Sequence, residues 1–543
     1  MIALRLRHWL CLAAAALVSC GTWAVGFAAD PPSERDRYVI VAAPAFRDAM
    51  EPLAKYRASE QGGKFEVSLL STADLLTPAE MQQHVGSTLL EKLKPKLYGP
   101  GRVYLLLVGS PSSNPFDPNV TLPILPGSIG RMLRHPTDNP YGLPDERTLM
   151  PTIAVGRLPV RTPLEAQAVV DKILAFEKAA GTAPWRRTIT LLVGNPTAGA
   201  GPQGPSLAEQ TLANWFVNSS LAATTDRIHP LWTIRPLVHI PSSPYFVSDQ
   251  KLHDAALDDL RQAHLFSLYL GHSSADAMWS GSLPFLSRKD MDQWNSPGGA
   301  AGILITCACF ATQYDPLSRT DHEGYAIAAF RNPAGPVAVI APTEESYSMA
   351  GYLAMNGLLE DISAQQLPPR LGDLFLHMKN GIATGQIDFL TYRIFDYGDG
   401  SSGAIPLQTQ RKEHLEMWTL LGDPAMPLPD VQPELTLTAP ASVTPGEKIE
   451  VGINFPAATM AQQRQPLTIT LEIPLSATAG ERAQMGLKRI GDPLVSIKMT
   501  PNENPTTISI AIPDVLPCRQ LSLRVTNGDG TLVGAKLVKV VAK

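Results

Sequence analysis

Leu265-Phe266-Ser267-Leu268-Tyr269-Leu270-Gly271-His272-Ser273-Ser274 opens on a largely apolar run and breaks at a glycine. A short apolar run bounded by a turn signal reads as a buried strand. A second buried strand, Gly302 to Thr306, runs into Cys307-Ala308-Cys309. In a parallel sheet the carboxyl ends of neighbouring strands share one edge, and open α/β sheets place their sites there. A His and a Cys at two such ends can face each other. Together they supply a thiol and an imidazole base, the minimum for nucleophilic acyl transfer. Each alone has a plainer reading. A strand-end Cys is commonly a small buried hydrophobe, and a His after a strand is commonly a satisfied loop residue. The pairing, with Gly ahead of the His, is what brings the chemical reading forward.

The pattern around these two strands is an α/β alternation. Tyr38 to Ala43 is a continuous apolar run that reads as a buried parallel strand. Residues 46–61 have helical spacing, with Phe46, Met50, Leu53 and Ala54 on one face. A strand at Phe65 to Leu70, a helix over 78–94 and a strand at Val103 to Val108 follow. Such β-α-β-α-β order calls for a parallel sheet covered by helices. After the loop-rich 110–152 come the strand Ile153 to Arg157 and a helix over 163–179. A second alternation starts at Thr188 to Val193 and continues through the two strands above to Val337 to Ile340. Its helices are predicted near 206–218, 249–263, 322–331 and 346–362. The expectation is an α/β region in two halves, 38–185 and 186–428.

Composition changes near residue 429. Beyond it, short segments alternate apolar with polar, at Leu435 to Thr438, Ile449 to Ile453, Leu467 to Ile473, Val495 to Met499, Thr507 to Ile512, Leu521 to Val525 and Ala535 to Val541. Pro, Gly and Asn turns separate them. That is the pattern of an antiparallel sandwich over 433–543, without helices of any length.

Bulk properties bound the function classes. At 543 residues the chain is too long for one ordinary domain. A net charge of −5 argues against a nucleic-acid partner, which calls for a basic stripe. Hydrophobic residues at 44% supply an ordinary core, so disorder over most of the chain is excluded. The 49 prolines are about 9% of the chain, roughly twice the usual share, which suits a loop-rich extracytoplasmic protein.

The N-terminus supports export. Arg5 and Arg7 precede the apolar stretch Trp9 to Val18, which is too short for a permanent membrane span and reads with its flank as a signal peptide over 1–29. Two exits are open. Leu17-Val18-Ser19-Cys20-Gly21 resembles a bacterial lipobox, which would make Cys20 a lipidated membrane anchor. Cleavage near Gly26-Phe27-Ala28-Ala29 would release a soluble chain. The expected location is therefore periplasmic, outer-membrane lipoprotein or extracellular. Of the five cysteines, Cys11 and Cys20 fall in this segment, leaving Cys307, Cys309 and Cys518. Three is odd, so a disulfide framework is not the design.

Several stretches together resemble the gingipain-type cysteine peptidases, relatives of caspases and legumain. Gly271-His272-Ser273-Ser274-Ala275-Asp276-Ala277-Met278-Trp279 is similar to the family's Gly-His strand end with its following Trp, and Ala308-Cys309 to its Ala-Cys nucleophile. Val337-Ala338-Val339-Ile340-Ala341-Pro342-Thr343 resembles the strand lining the specificity pocket. Leu420-Leu421-Gly422-Asp423-Pro424-Ala425-Met426 resembles the stretch closing the catalytic domain, and Ile153-Ala154-Val155-Gly156-Arg157-Leu158-Pro159-Val160 a further block. The likeness spans 38–540 in one order.

The resemblance implies a caspase-like α/β region, an immunoglobulin-like sandwich and a cysteine endopeptidase acting on protein or peptide substrates. It assigns Cys309 as nucleophile and His272 as general base, with Cys307 the weaker candidate because the family's thiol follows Ala. Backbone N–H groups of Ser273 and Cys309 would form the oxyanion hole. Thr343, Glu344 and Glu345 would belong to the specificity pocket; a plainer reading of the two acids is a pair of solvated charges at a helix start. Asp138 would orient His272, or else it only makes an Asx-turn.

Two departures matter. The family has Gly after the His, where this chain has Ser273, and the region that carries the substrate-binding acid in arginine-specific members here reads Thr148-Leu149-Met150. No CxxC pair, HExxH or EF-hand spacing signals a metal. No cofactor is required by this chemistry, and Ca²⁺ at loop acids such as Asp138, Asp145 and Glu146 rests on the resemblance alone. Two rivals share the same residues: a catalytically silent envelope-binding member, and a sortase-like transpeptidase that transfers exported proteins.

Overall fold

The computed structural model describes residues 35–99, 101–113, 115–127, 135–145, 148–180, 183–195, 211, 218, 226–296, 301–314, 323–399, 403–487 and 492–541. Within the unit formed by residues 36–543, the first half supplies strands β1 (Arg37–Ala42), β2 (Glu66–Ser71), β3 (Val103–Val108) and β4 (Ala154–Leu158). The second supplies β5 (Thr188–Val193), β6 (Thr233–Val238) and β7 (His264–Leu270), then the short β8 (His272–Ser273), β9 (Ala277–Ser280) and β10 (Leu283–Ser287). It ends with β11 (Ala301–Cys307), β12 (Ala338–Pro342) and β13 (Trp418–Leu421).

Ten of these strands form one sheet in the order β2-β1-β3-β4-β13-β12-β11-β7-β5-β6. Both predicted halves therefore lie in a single sheet, and the mainly parallel α/β architecture is as expected. Direction reverses once. β1 to β4 and β13 run one way, while β5, β6, β7, β11 and β12 run the other. The reversal falls between β13 and β12, which pair antiparallel from Pro342↔Trp418 to Val339↔Leu421. Central strands such as β3 and β12 are buried along their whole length, which is why they read as unbroken apolar runs.

The Val155-Gly156-Arg157 block and the Gly422-Asp423-Pro424 stretch meet in space. A Cβ on Gly156 would lie 2.2 Å from the Gly422 carbonyl oxygen, so only glycine permits the approach. Arg57 then clamps the assembly. Its Nε and Nη2 donate to Asp423 Oδ2 at 2.9 and 2.6 Å, and its Nη1 donates to Glu177 at 2.9 Å.

Beyond residue 430, a three-stranded and a five-stranded sheet share one apolar core that includes Val451, Ile453, Ile469, Leu471, Leu523 and Val525. All the segments expected there are strands. Burial alternates along Lys448–Asn454 and Gln520–Asn527, the signature of a sheet with one face inward. One expectation is corrected: a six-residue helix, Ala479–Gln484, interrupts the strands, started by a Thr478–Glu481 capping box. Arg186 and Arg187 both reach Glu434, tying these sheets to the α/β region.

Candidate active site

β7 and β11 are neighbours, parallel and in register from Ala301↔His264 to Cys307↔Leu270. Leu270 and Cys307 thus stand side by side at one end of the sheet, with His272 and Cys309 each two residues further along the chain and both half-buried.

The imidazole side is built by a hairpin. His272 in β8 pairs with Trp279 in β9. The Tyr269 hydroxyl sits beneath it, 2.6 Å from the His272 carbonyl and 2.7 Å from that of Trp279. A Cβ on Gly271 would stand 2.6 Å from that hydroxyl, which explains the glycine before the histidine. Trp279 Nε1 donates to Ser274 Oγ at 3.2 Å and closes the loop.

On the thiol side, the Ser346 N–H donates to Cys309 Sγ at 3.4 Å. Ser346 comes just ahead of the Ser348–Ser363 helix. The Cys309 thiol in turn lies 3.7 Å from the Ser346 carbonyl, so one residue faces the sulfur with both its amide and its carbonyl. The two thiols part company here. Cys307 Sγ lies 3.8 Å from the Gly351 carbonyl on that helix. Although part of the residue reaches the surface, burial pushes its thiol up to about 12. Among the described residues Cys307, Cys309 and Cys518 form no disulfide.

The peptide following Cys309 is held at both ends. Phe310 N–H donates to the Glu344 carbonyl at 3.0 Å, and the Ser273 hydroxyl donates to the Cys309 carbonyl. Phe310 itself has φ 59°, a left-handed backbone that bulky side chains rarely adopt. A sharp turn of this kind is one way a nucleophile is lifted off a strand end.

The segment 343–346 runs alongside this turn. Thr343 is buried, with its hydroxyl donating to the Pro136 carbonyl at 2.9 Å. Glu344 is buried rather than solvated, so the reading of it as a free charge at a helix start is corrected; the helix begins only at Ser348. Burial raises its carboxyl, with His135 and Gln313 nearby opposing the shift. Glu345 is half-buried next to it.

Asp138 is corrected more fully. Arg157 Nε and Nη2 donate to its two oxygens at 2.7 and 2.6 Å, and Arg157 is fully buried on β4, four strands from β7. A buried guanidinium needs a paired carboxylate, so Asp138 is that partner rather than the group orienting His272. Among the described residues no three His, Cys, Asp or Glu side chains gather to hold a metal ion. Of the acids named for Ca²⁺, Asp138 is paired to Arg157 and Glu146 lies outside the described residues. Cys20 and residues 1–29 also lie outside the described residues, as does nearly all of the helix expected at 206–218.

Residues 31–429 match peptidase family C25. The chain belongs to this family of cysteine peptidases. Its fold agrees with the crystal structure of the Arg specific cysteine proteinase gingipain R, at 17% identity and a TM-score of 0.51, covering 94% of this chain and 99% of that one. A complex of the Porphyromonas gingivalis RgpB pro- and mature domains also matches, at 17% identity and a TM-score of 0.48, over 93% of this chain and 100% of that one. No curated protein is a significant match. At 17% identity the gingipain R structure speaks for the fold alone. Within it, the Ser346 amide and the Phe310 turn had no side-chain signature in the sequence. Among the described residues no helix is long and apolar enough to cross a membrane.

Proposed function

We propose that the chain is an exported cysteine endopeptidase in which Cys309 and His272 form the catalytic dyad. The observation that carries this reading is the β7–β11 register, with Leu270 opposite Cys307 and one spacer residue before each reacting side chain. His272 takes the Cys309 proton as Sγ attacks the scissile carbonyl, then returns it to the leaving amine. Water hydrolyses the resulting thioester. The amides of Ser273 and Cys309 supply the oxyanion donors, and Thr343, Glu344 and Glu345 border the side-chain pocket. The signal-peptide pattern over 1–29 supports export, with Cys20 as a candidate lipid anchor.

The test is labelling of purified protein with a peptidyl thiol-reactive probe, with the modified residue mapped, beside turnover of a protein substrate. Cys309→Ala should abolish labelling and turnover. His272→Ala should lower turnover by about 10²–10⁴-fold, and Cys307→Ala should leave most of it. Activity surviving in Cys309→Ala but lost in Cys307→Ala would overturn the assignment. Product analysis with an added amine acceptor separates hydrolysis from transfer.

A further inference from the structure

Ser273 stands where the resemblance expects glycine, and its side chain has a definite job in the fold. The hydroxyl crosses from the β8–β9 hairpin, which carries His272, and donates to the backbone carbonyl of Cys309. That carbonyl belongs to the peptide whose N–H, on Phe310, donates to Glu344. One peptide plane is thus fixed at its oxygen by a side chain and at its nitrogen by the backbone. It needs fixing, because Phe310 holds φ 59° with an aromatic side chain, and such a conformation persists only where surrounding structure over-determines it.

The hairpin end of this tie is itself anchored. The Tyr325 amide donates to the Ala275 carbonyl at 2.7 Å, and the Tyr325 hydroxyl lies beside Ser273 and Thr306. The Tyr269 hydroxyl fixes the His272 carbonyl from below. Ser273 therefore links a rigid histidine hairpin to a strained cysteine turn.

We infer that Ser273 is a positioning residue, whose hydroxyl locks the Cys309–Phe310 turn so that the thiol stays aligned with His272. This rests on the peptidase reading. A residue that sets alignment acts on the chemical step more than on substrate binding, because near-attack geometry decides kcat.

The experiment compares wild type with Ser273→Ala, Ser273→Gly and Ser273→Thr on a peptide substrate that the wild type cleaves, with thermal midpoints measured for each. Ser273→Ala and Ser273→Gly should lose about tenfold in kcat, equivalent to about 1.4 kcal/mol, with KM nearly unchanged. Ser273→Thr keeps the hydroxyl and should keep most of kcat. Full kcat in both Ser273→Ala and Ser273→Gly, beside an active wild type, overturns the inference alone. So does a loss in all three variants that follows their thermal midpoints, since that marks a purely structural role. A wild type without turnover and without Cys309 labelling overturns the peptidase reading instead.

Discussion

Cys307 and Cys309 are two residues apart, and exchange with a small aromatic disulfide should separate them sharply. Burial lifts the Cys307 thiol from the ordinary 9.0 to about 12. At neutral pH three units remove thiolate by about 10³. A more basic thiolate is also a better nucleophile, and a Brønsted slope of about 0.4–0.5 returns roughly 16- to 30-fold over three units. The net expectation is exchange about 30- to 60-fold slower than at an ordinary exposed thiol, before the Gly351 helix restricts access. No Lys or Arg separates the two cysteines, so one tryptic peptide carries both. Cys309→Ala then isolates Cys307, and Cys307→Ala isolates Cys309. Native protein is exposed to the reagent at pH 7.5, quenched in acid and read by mass spectrometry, with urea-unfolded protein as reference. Cys307 should lag its unfolded rate by at least the factor above. Native exchange of Cys307 at the unfolded rate would refute the burial argument, and with it the structural reason for preferring Cys309.

Two further outcomes follow from the scaffold. Gly156→Ala drives a Cβ against the Gly422 carbonyl at 2.2 Å and Pro424 Cδ at 2.7 Å, so denaturant unfolding should show a loss of about 1–3 kcal/mol or more; an unchanged midpoint would mean that β4 and the Gly422-Asp423-Pro424 stretch do not touch as described. Burial holds the His264 imidazole down to about 4, from an ordinary 6.5. The folded state thus binds fewer protons than the unfolded one between those values, so this contribution is complete above pH 6.5 and is lost as pH falls toward 4. The whole of it is worth about 3 kcal/mol, and urea midpoints should fall more steeply from pH 7 to 4.5 in wild type than in His264→Asn, equal slopes counting against the assignment.

What the sequence revealed, and what it hid, follow from where the chemical information sits. β7 and β11 were legible because each is an apolar run closed by a turn or a change of composition. β6 was not, because Pro236 lies inside it; a proline is tolerated there only because β6 is the sheet's edge. The helix expected over 78–94 is two helices, Pro78–Gln83 and Gly86–Leu97, parted at His84 with φ 52°. The Leu407–Met417 helix lacks an apolar stripe because its buried face carries Gln410, Arg411, Glu413, His414 and Glu416, so a search for hydrophobic period passes over it.

The site divides the same way. Acyl transfer needs a thiol and an imidazole, so His272 and Cys309 announce themselves as residue types at two strand ends. Asp138 misled because its partner Arg157 sits 19 positions away inside β4, paired to it only by the fold. The atoms that hold Cys309 in place are an amide of Ser346, a carbonyl of Glu344 and the backbone angle of Phe310. Every residue owns an amide and a carbonyl, so no letter marks the ones that matter. Ser273 lies between these cases. Its letter shows as a departure from glycine, but the acceptor that gives the departure its purpose is a main-chain oxygen on another loop. A hydroxyl standing where the resemblance expects glycine is then understood only with the turn it restrains.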